Sequence, residues 1–298
     1  MSAGEPNGAR ASENGASREE EPTLRLGGMA LRNGLLIHGP RAWGAAARRP
    51  DGSIEVASGP KPSLAQGRLG SIPGLRGPLR LAEGMAVVPI ARSRVRSARL
   101  PLEDARVILA AGIAAAASGL ARRWRAEEAS ASVAMLREGL VSIISVLPAA
   151  AALRDRDLAA YHGVEHKAIG AYERGSRDPR DAPKEHERCG SNLIAPLLAF
   201  SVAGQVLMER MSNRPGPLVR AAAGTGAVSA AVEVFVYAER KPESAVGRAV
   251  HAVGHEIQRL FSTREPTPEQ LEVGVAALDA VLAEERKLQD EAQTADTF

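Results

Sequence analysis

Between residues 100 and 240 the chain lays down four long stretches almost free of charge. Val107–Ala121 and Gly139–Leu153 carry none in 15 residues each, Cys189–Met208 none in 20, and Ala221–Ala238 only Glu233 in 18. Stretches of this length exceed ordinary strands and read as helices. A helix needs roughly 20 apolar residues to cross a bilayer. The third stretch meets that length, the fourth nearly does, and the first two fall short. The expected reading of residues 101–240 is a mainly helical, multi-span membrane bundle. A water-soluble bundle with an alanine-rich core is the alternative.

The flanking regions follow other periods. Arg41–Ala47 and Ser53–Val56 surround Arg49-Pro50-Asp51-Gly52. Proline presets φ and glycine accepts φ > 0 there, so the segment predicts a β-hairpin. Residues 58–80, with several Gly and Pro, read as a loop. Residues 25–100 are therefore expected to form a small β-rich region, and the fold class is α+β. Charge returns after residue 240. Leu271, Val275, Leu278 and Leu282 recur at helical spacing, which predicts amphipathic C-terminal helices over 241–288. The polar ends, 1–24 and 289–298, read as disordered tails, and the first lacks the apolar core of a signal peptide.

Charge distribution adds an orientation. The segment 154–188 holds eight Arg/Lys, against four in 122–138 and three in 209–220. Basic loops stay in the cytoplasm, so the expectation is a multi-pass protein of the inner (cytoplasmic) membrane with 154–188 on the cytoplasmic side. Composition excludes more than it assigns. Net charge is only +3 and aromatics are 3% of the chain. Arginines scattered without interleaved aromatics argue against a nucleic-acid partner. The single cysteine, Cys189, excludes an internal disulfide and suits a reducing compartment, or a site that uses one thiol.

That basic segment also carries the chemistry. In Tyr161-His162-Gly163-Val164-Glu165-His166-Lys167 the two histidines are four apart, so on a helix both imidazoles leave one face about a turn apart. His-x-x-Glu-His is the inverted zincin arrangement: two neutral nitrogens for one metal ion, with Glu165 placed to act as general base on a water the metal activates. Twenty residues on from His166, His186 and Cys189 offer two more donors in His186-Glu187-Arg188-Cys189-Gly190. Imidazole and thiolate together suit zinc. Four protein ligands would make a closed, structural site, whereas three would leave a position for water. Glu233, alone in the fourth apolar stretch, is a candidate additional ligand, a partner for a ligand histidine, or a proton carrier. On a water-facing helix it would be none of these. His251, His255 and Glu256 read as the polar face of a helix, and His38 is isolated.

The Tyr161–Lys167 string, followed by Tyr172-Glu173 and His186-x-Arg188-Cys189-Gly190, resembles the YqhQ-like family of uncharacterised bacterial membrane proteins, described as predicted metal-dependent. The resemblance runs over about residues 25–285. It includes Gly27-Gly28-x-Ala30, Gly34, Gly39-Pro40, Trp43 and Arg49–Gly52 near the start. Gln258-Arg259-Leu260, Thr263–Pro266 and Leu271-Glu272-Val273 carry it near the end. It implies several membrane helices and a metal site, and no substrate. Where the family has Gln and Glu near its opening glycines this chain has Met29 and Asn33, and where it has Pro before Arg188 this chain has Glu187. The residues support three functional readings. One is a zinc-dependent membrane hydrolase with Glu165 as base. Another is a non-enzymatic scaffold or assembly factor tied together by a structural metal. The third is a transporter with Glu233 on its path, for which paired half-helices are missing from the sequence.

Overall fold

The computed structural model describes residues 23–63, 72, 76–123, 131–176, 178–211 and 216–295. Most of the segment 1–24 lies outside these residues, as do 64–71 and 73–75 of the expected loop 58–80; the ends of that loop instead belong to a strand that runs to Pro60 and a helix that starts at Arg76. A four-stranded antiparallel meander, β1 (Gly27–Leu31), β2 (Gly34–His38), β3 (Ala42–Arg48) and β4 (Ile54–Pro60), comes first. The β3–β4 hairpin closes where the sequence puts it, with Gly52 at φ +88° and Arg48 paired with Ile54.

Both faces of the sheet are buried, so alternate residues divide between two cores. Leu35, Ile37, Ala42 and Ala46 pack with Val164, Ala168 and Ile169 of α5 (Arg156–Glu173) and with Ala277, Leu278 and Val281 of α9 (Pro268–Ala295). Leu36, Trp43, Ala45 and Ala47 point the other way, onto Val87, Ala91 and Val95, from α1 (Arg76–Arg94) and the residue just beyond it. Helix α1 corrects the expectation of a β-rich region to residue 100. Gly77, Pro78, Gly84 and Pro89 punctuate its sequence, and the apolar stripe that covers the sheet is what makes it helical. Helix α9 runs to Ala295, past the start of the tail expected at 289. It crosses β3 closely because Gly44 has no side chain, and a Cβ there would lie 2.5 Å from the Val281 amide nitrogen.

The apolar stretches form α2 (Ala105–Arg123), α3 (Ala131–Ser145), α4 (Leu147–Ala152), α6 (Ile194–Met211) and α7 (Pro217–Arg240). Gly190–Met208 and Leu218–Arg240 are long and apolar enough to cross a membrane, while the apolar part of α2, Ala105–Ala121, is shorter. The second stretch breaks between α3 and α4, and the chain then turns by 91° into α5. Helix α5 is not apolar wrapping: 13 of its 18 residues are buried, inside the sheet domain. The large side chains of the apolar helices face outward; Leu218 is 82% exposed, Leu120 69% and Leu136 67%. A water-soluble bundle would bury them, and this arrangement fits helices solvated by lipid.

Helix α8 (Ala245–Ile257) follows α7 after four residues and ends in a π-helical turn, Gln258–Ser262. Leu260 and Phe261 of that turn are exposed, whereas Gln258 and Ser262 are buried. The turn therefore presents one pair outward and the other toward the face of α5 that carries the histidines.

Candidate metal centre

Helix α5 is capped at Asp155, whose side chain accepts the Asp157 and Leu158 amides at 3.0 and 3.4 Å and binds Arg32 at 2.7 Å. It ends at Glu173, and Gly175 just beyond takes φ +73° as glycine readily does. Between these stops the four-residue spacing brings the His162 and His166 rings to a centroid separation of 4.4 Å. Each ring is then fixed by a main-chain carbonyl. His162 Nδ1 donates to Ser262 O at 2.8 Å and His166 Nδ1 to Lys184 O at 2.6 Å. A carbonyl oxygen only accepts, so both protons sit on Nδ1 and both Nε2 lone pairs are left for a ligand.

Cys189 completes the arrangement from the turn before α6. Its Sγ lies 3.4 Å from His162 Nε2 and accepts the Ser191 amide, also at 3.4 Å. Burial pushes the thiol up to about 11, with the nearby Glu165 charge adding to the effect. With no ion bound the thiol is protonated at neutral pH and donates to His162 Nε2; an ion there would displace that proton and take the thiolate and the freed lone pair. His162, His166 and Cys189 offer one donor atom each within 4.8 Å of one another. A tetrahedral ion bonded at zinc distances sets an N···S separation of about 3.5 Å. The donor set and its spacing fit zinc.

Glu165 is 8% exposed. Burial raises its pKa, against the lowering influence of His162 and His186. Among the described residues its carboxyl has no hydrogen-bond partner. On the strand side it meets Gly28, where a Cβ would lie 2.8 Å from Glu165 Cγ and 2.9 Å from Oε1. Burial also holds His166 well below the usual histidine range, so it is neutral, as a metal ligand must be.

The other sequence candidates sit around this centre rather than in it. His186 stacks near His166 at 5.7 Å between ring centroids, but both its nitrogens are used. Nε2 contacts Glu173 at 3.1 Å, and Nδ1 accepts the Arg188 amide at 3.3 Å. Glu173 also pairs with Arg188. Glu233 lies half-buried in α7, outside the converging set and already partnered. His251 contacts the Ala238 carbonyl at 3.3 Å. Asn33, where the family resemblance would put Glu, belongs to the β1–β2 turn and spends its amide on Arg48 O, Ser97 O and the Arg99 N–H.

Several supporting residues carry no ligand signature. Gln258, 1% exposed, clamps the turn that carries Cys189. Its Oε1 accepts the His186 N–H at 2.7 Å, and its Nε2 donates to His186 O at 3.1 Å and to Ser191 Oγ at 2.9 Å. Gly163 lets the Arg264 carbonyl reach α5, where any Cβ would overlap it. Lys167 donates to Ala182 O at 2.9 Å and pairs with Glu265 at 2.8 Å, holding down the loop that supplies the Lys184 carbonyl. The matched strings around Gln258 and Thr263–Pro266 were the available signal for these roles; nothing in their residue types points to a metal.

A compact sheet-and-helix unit bearing a His–His–Cys cluster, joined to two helices long enough to cross a membrane, defines the class of protein. The chain belongs to the family described as "Protein of unknown function (DUF1385)", whose model matches residues 108–284. That match takes in α5, the cysteine turn and the π-helical turn. No curated protein and no solved structure matches the chain.

Proposed function

We propose that the chain is a multi-pass protein of the inner membrane with a hydrolytic zinc centre on the cytoplasmic side. Support for the centre comes chiefly from one observation: both histidine Nδ1 atoms are committed to main-chain carbonyls, so both Nε2 lone pairs face a shared space with Cys189 Sγ. His162, His166 and Cys189 would hold the ion, which would supply a Lewis acid there. Three protein donors leave the fourth position open, the mark of catalytic rather than structural zinc. Glu165, next to His166 in the chain and with a pKa raised by burial, would be the group to take up and return a proton there. The cytoplasmic assignment rests on the eight basic residues of 154–188.

A structural role for the metal is the second reading, and burial favours it: His166 is 2% exposed and Cys189 8%, and the cluster joins α5 to the turn before α6. The two readings divide on one measurement. The full chain, extracted from membranes in detergent, is assayed for zinc and examined by X-ray absorption. The hydrolytic reading expects about one zinc per chain with two nitrogens, one sulfur and one oxygen from water. Zinc should be lost in His162→Ala/His166→Ala and kept in Glu165→Gln. A shell of three nitrogens and one sulfur, with His186 turned inward, would leave the structural reading standing. No zinc in a folded sample would overturn both.

A further inference from the structure

Beside the metal centre lies a cavity of about 490 Å³, walled by β1, β2, α1, α7 and the cysteine turn. The volume falls within the range of about 300–1,000 Å³ typical of small-molecule sites. Its two walls differ in chemistry. Leu81 and Met85 of α1 face Val232, Phe235 and Val236 of α7 across an apolar side. Arg25, Arg80, Arg188 and Arg240 supply the other, against a single carboxylate, Glu239. Glu239 lies 3.8 Å from Arg25 and 3.9 Å from Arg188. Arg80 and Arg240 thus receive no carboxylate from the cavity wall, which keeps a net positive charge.

Location sharpens the chemistry. The apolar wall is formed by the last turns of Leu218–Arg240, one of the two segments long enough to cross a membrane. A cavity at the end of such a helix lies where acyl chains give way to headgroups. Gly77 presses α1 against this end of α7; a Cβ there would lie 2.6 Å from Val232 Cγ1. Guanidinium groups bind phosphate through paired, charge-assisted hydrogen bonds, and basic pockets between membrane helices take phosphorylated headgroups.

We propose that this cavity binds an anionic amphiphile, a phosphate-headed lipid with its phosphate on Arg80 and Arg240 and its first chain carbons against Phe235 and Met85. The site touches the metal centre on two sides. Gly28 separates it from Glu165, and Arg188 precedes Cys189 in the chain. The binding inference stands on the cavity alone. Making this lipid the substrate class of the zinc centre rests in addition on the hydrolytic reading.

The test titrates the detergent-solubilised full chain by calorimetry with dihexanoyl phosphatidic acid, dihexanoyl phosphatidylcholine and inorganic phosphate, and measures zinc in every sample. Phosphatidic acid is expected to bind at least about tenfold tighter than either of the others, because inorganic phosphate has no chains for the apolar wall and phosphatidylcholine's choline cation cancels its phosphate charge before the arginines. Arg80→Gln/Arg240→Gln should weaken it about tenfold or more, with zinc content unchanged. Gly84→Leu, which fills the cavity beside His38 without touching charge, should do the same. Phosphatidylcholine binding equally well, inorganic phosphate binding equally well, or full affinity in both variants would each overturn the proposal. His162→Ala/His166→Ala separates the two readings. Phosphatidic acid binding kept in that zinc-free variant shows that the cavity stands without the ion; in the unaltered chain, phosphatidic acid binding without zinc sinks the metal centre and keeps the cavity, and zinc without phosphatidic acid binding does the reverse.

Discussion

Replacing Gln258 by Leu keeps the volume of the side chain and removes its amide. Three hydrogen bonds go with it, at 2.7, 3.1 and 2.9 Å, two to His186 before Cys189 and one to Ser191 after it. Neutral hydrogen bonds contribute about 1 kcal/mol each, so roughly 3 kcal/mol of coupling between the π-helical turn and the turn that carries Cys189 is lost. The His186 amide also loses its acceptor, which adds to the cost. If the turn must be held for Cys189 to bind, 3 kcal/mol corresponds to a loss of about 100-fold in zinc affinity. That lies at the upper end of the 10–100-fold typical of groups that orient metal ligands. The assay is competition with a colorimetric chelator on the detergent-solubilised chain, alongside a thermal melt. Gln258→Glu keeps the shape and the acceptor for His186 N–H but sets a buried carboxylate oxygen against His186 O in place of the donor, and should lose at least as much. Unchanged zinc affinity in Gln258→Leu, with Cys189→Ser strongly impaired, would refute the idea that the clamp positions the thiol.

Gly163→Ala should destabilise the chain by about 1–3 kcal/mol, the usual range for overpacking, because the obstacle is the Arg264 backbone rather than a movable side chain; a melt indistinguishable from wild type would show that the π-helical turn can shift. Asp155→Ala should cost about 1 kcal/mol for the lost cap of α5. Its pH dependence has a definite sign. Burial raises the Asp155 pKa, but the Arg32 hydrogen bond and the two helix amides outweigh it and leave the pKa lowered in the folded chain. The stabilisation is therefore complete above about pH 4 and is lost as pH falls through the folded value. The difference between wild-type and Asp155→Ala melting temperatures should be flat from pH 5 to 8 and shrink below about pH 4; a gap that widens on acidification would contradict the assignment.

Local rules account for much of what was legible in advance. The β3–β4 hairpin could be read because Pro50-Asp51-Gly52 is a turn by its own chemistry, whatever surrounds it. His162 and His166 could be paired because helical spacing alone puts them on one face. Cys189 could be added only by residue type, and the same reasoning equally included His186. Tertiary contacts separate the two: Glu173 and the Arg188 amide occupy the His186 nitrogens, and neither contact follows from spacing. Helix α1 was hidden because its glycines and prolines mimic a loop, and the sheet face it covers is what selects the helix. The roles of Gln258, Ser262 and Lys184 depend on where three distant segments meet, so no periodicity announces them.

Two of those three roles are played by main chain, and this changes what mutation can reach. The imidazoles are aimed by the carbonyls of Lys184 and Ser262, and every amino acid carries a carbonyl. Residue identity at 184 and 262 can therefore drift while the rings keep their tautomer and aim. The selective constraint moves instead to positions that fix the backbone path, Gly163 and Gln258 among them. A mutational scan of this chain would find the support of the two imidazoles written in residues that look like packing; position 184 would tolerate changes of residue type that keep its backbone path, and position 262, being buried, those that also keep a small side chain.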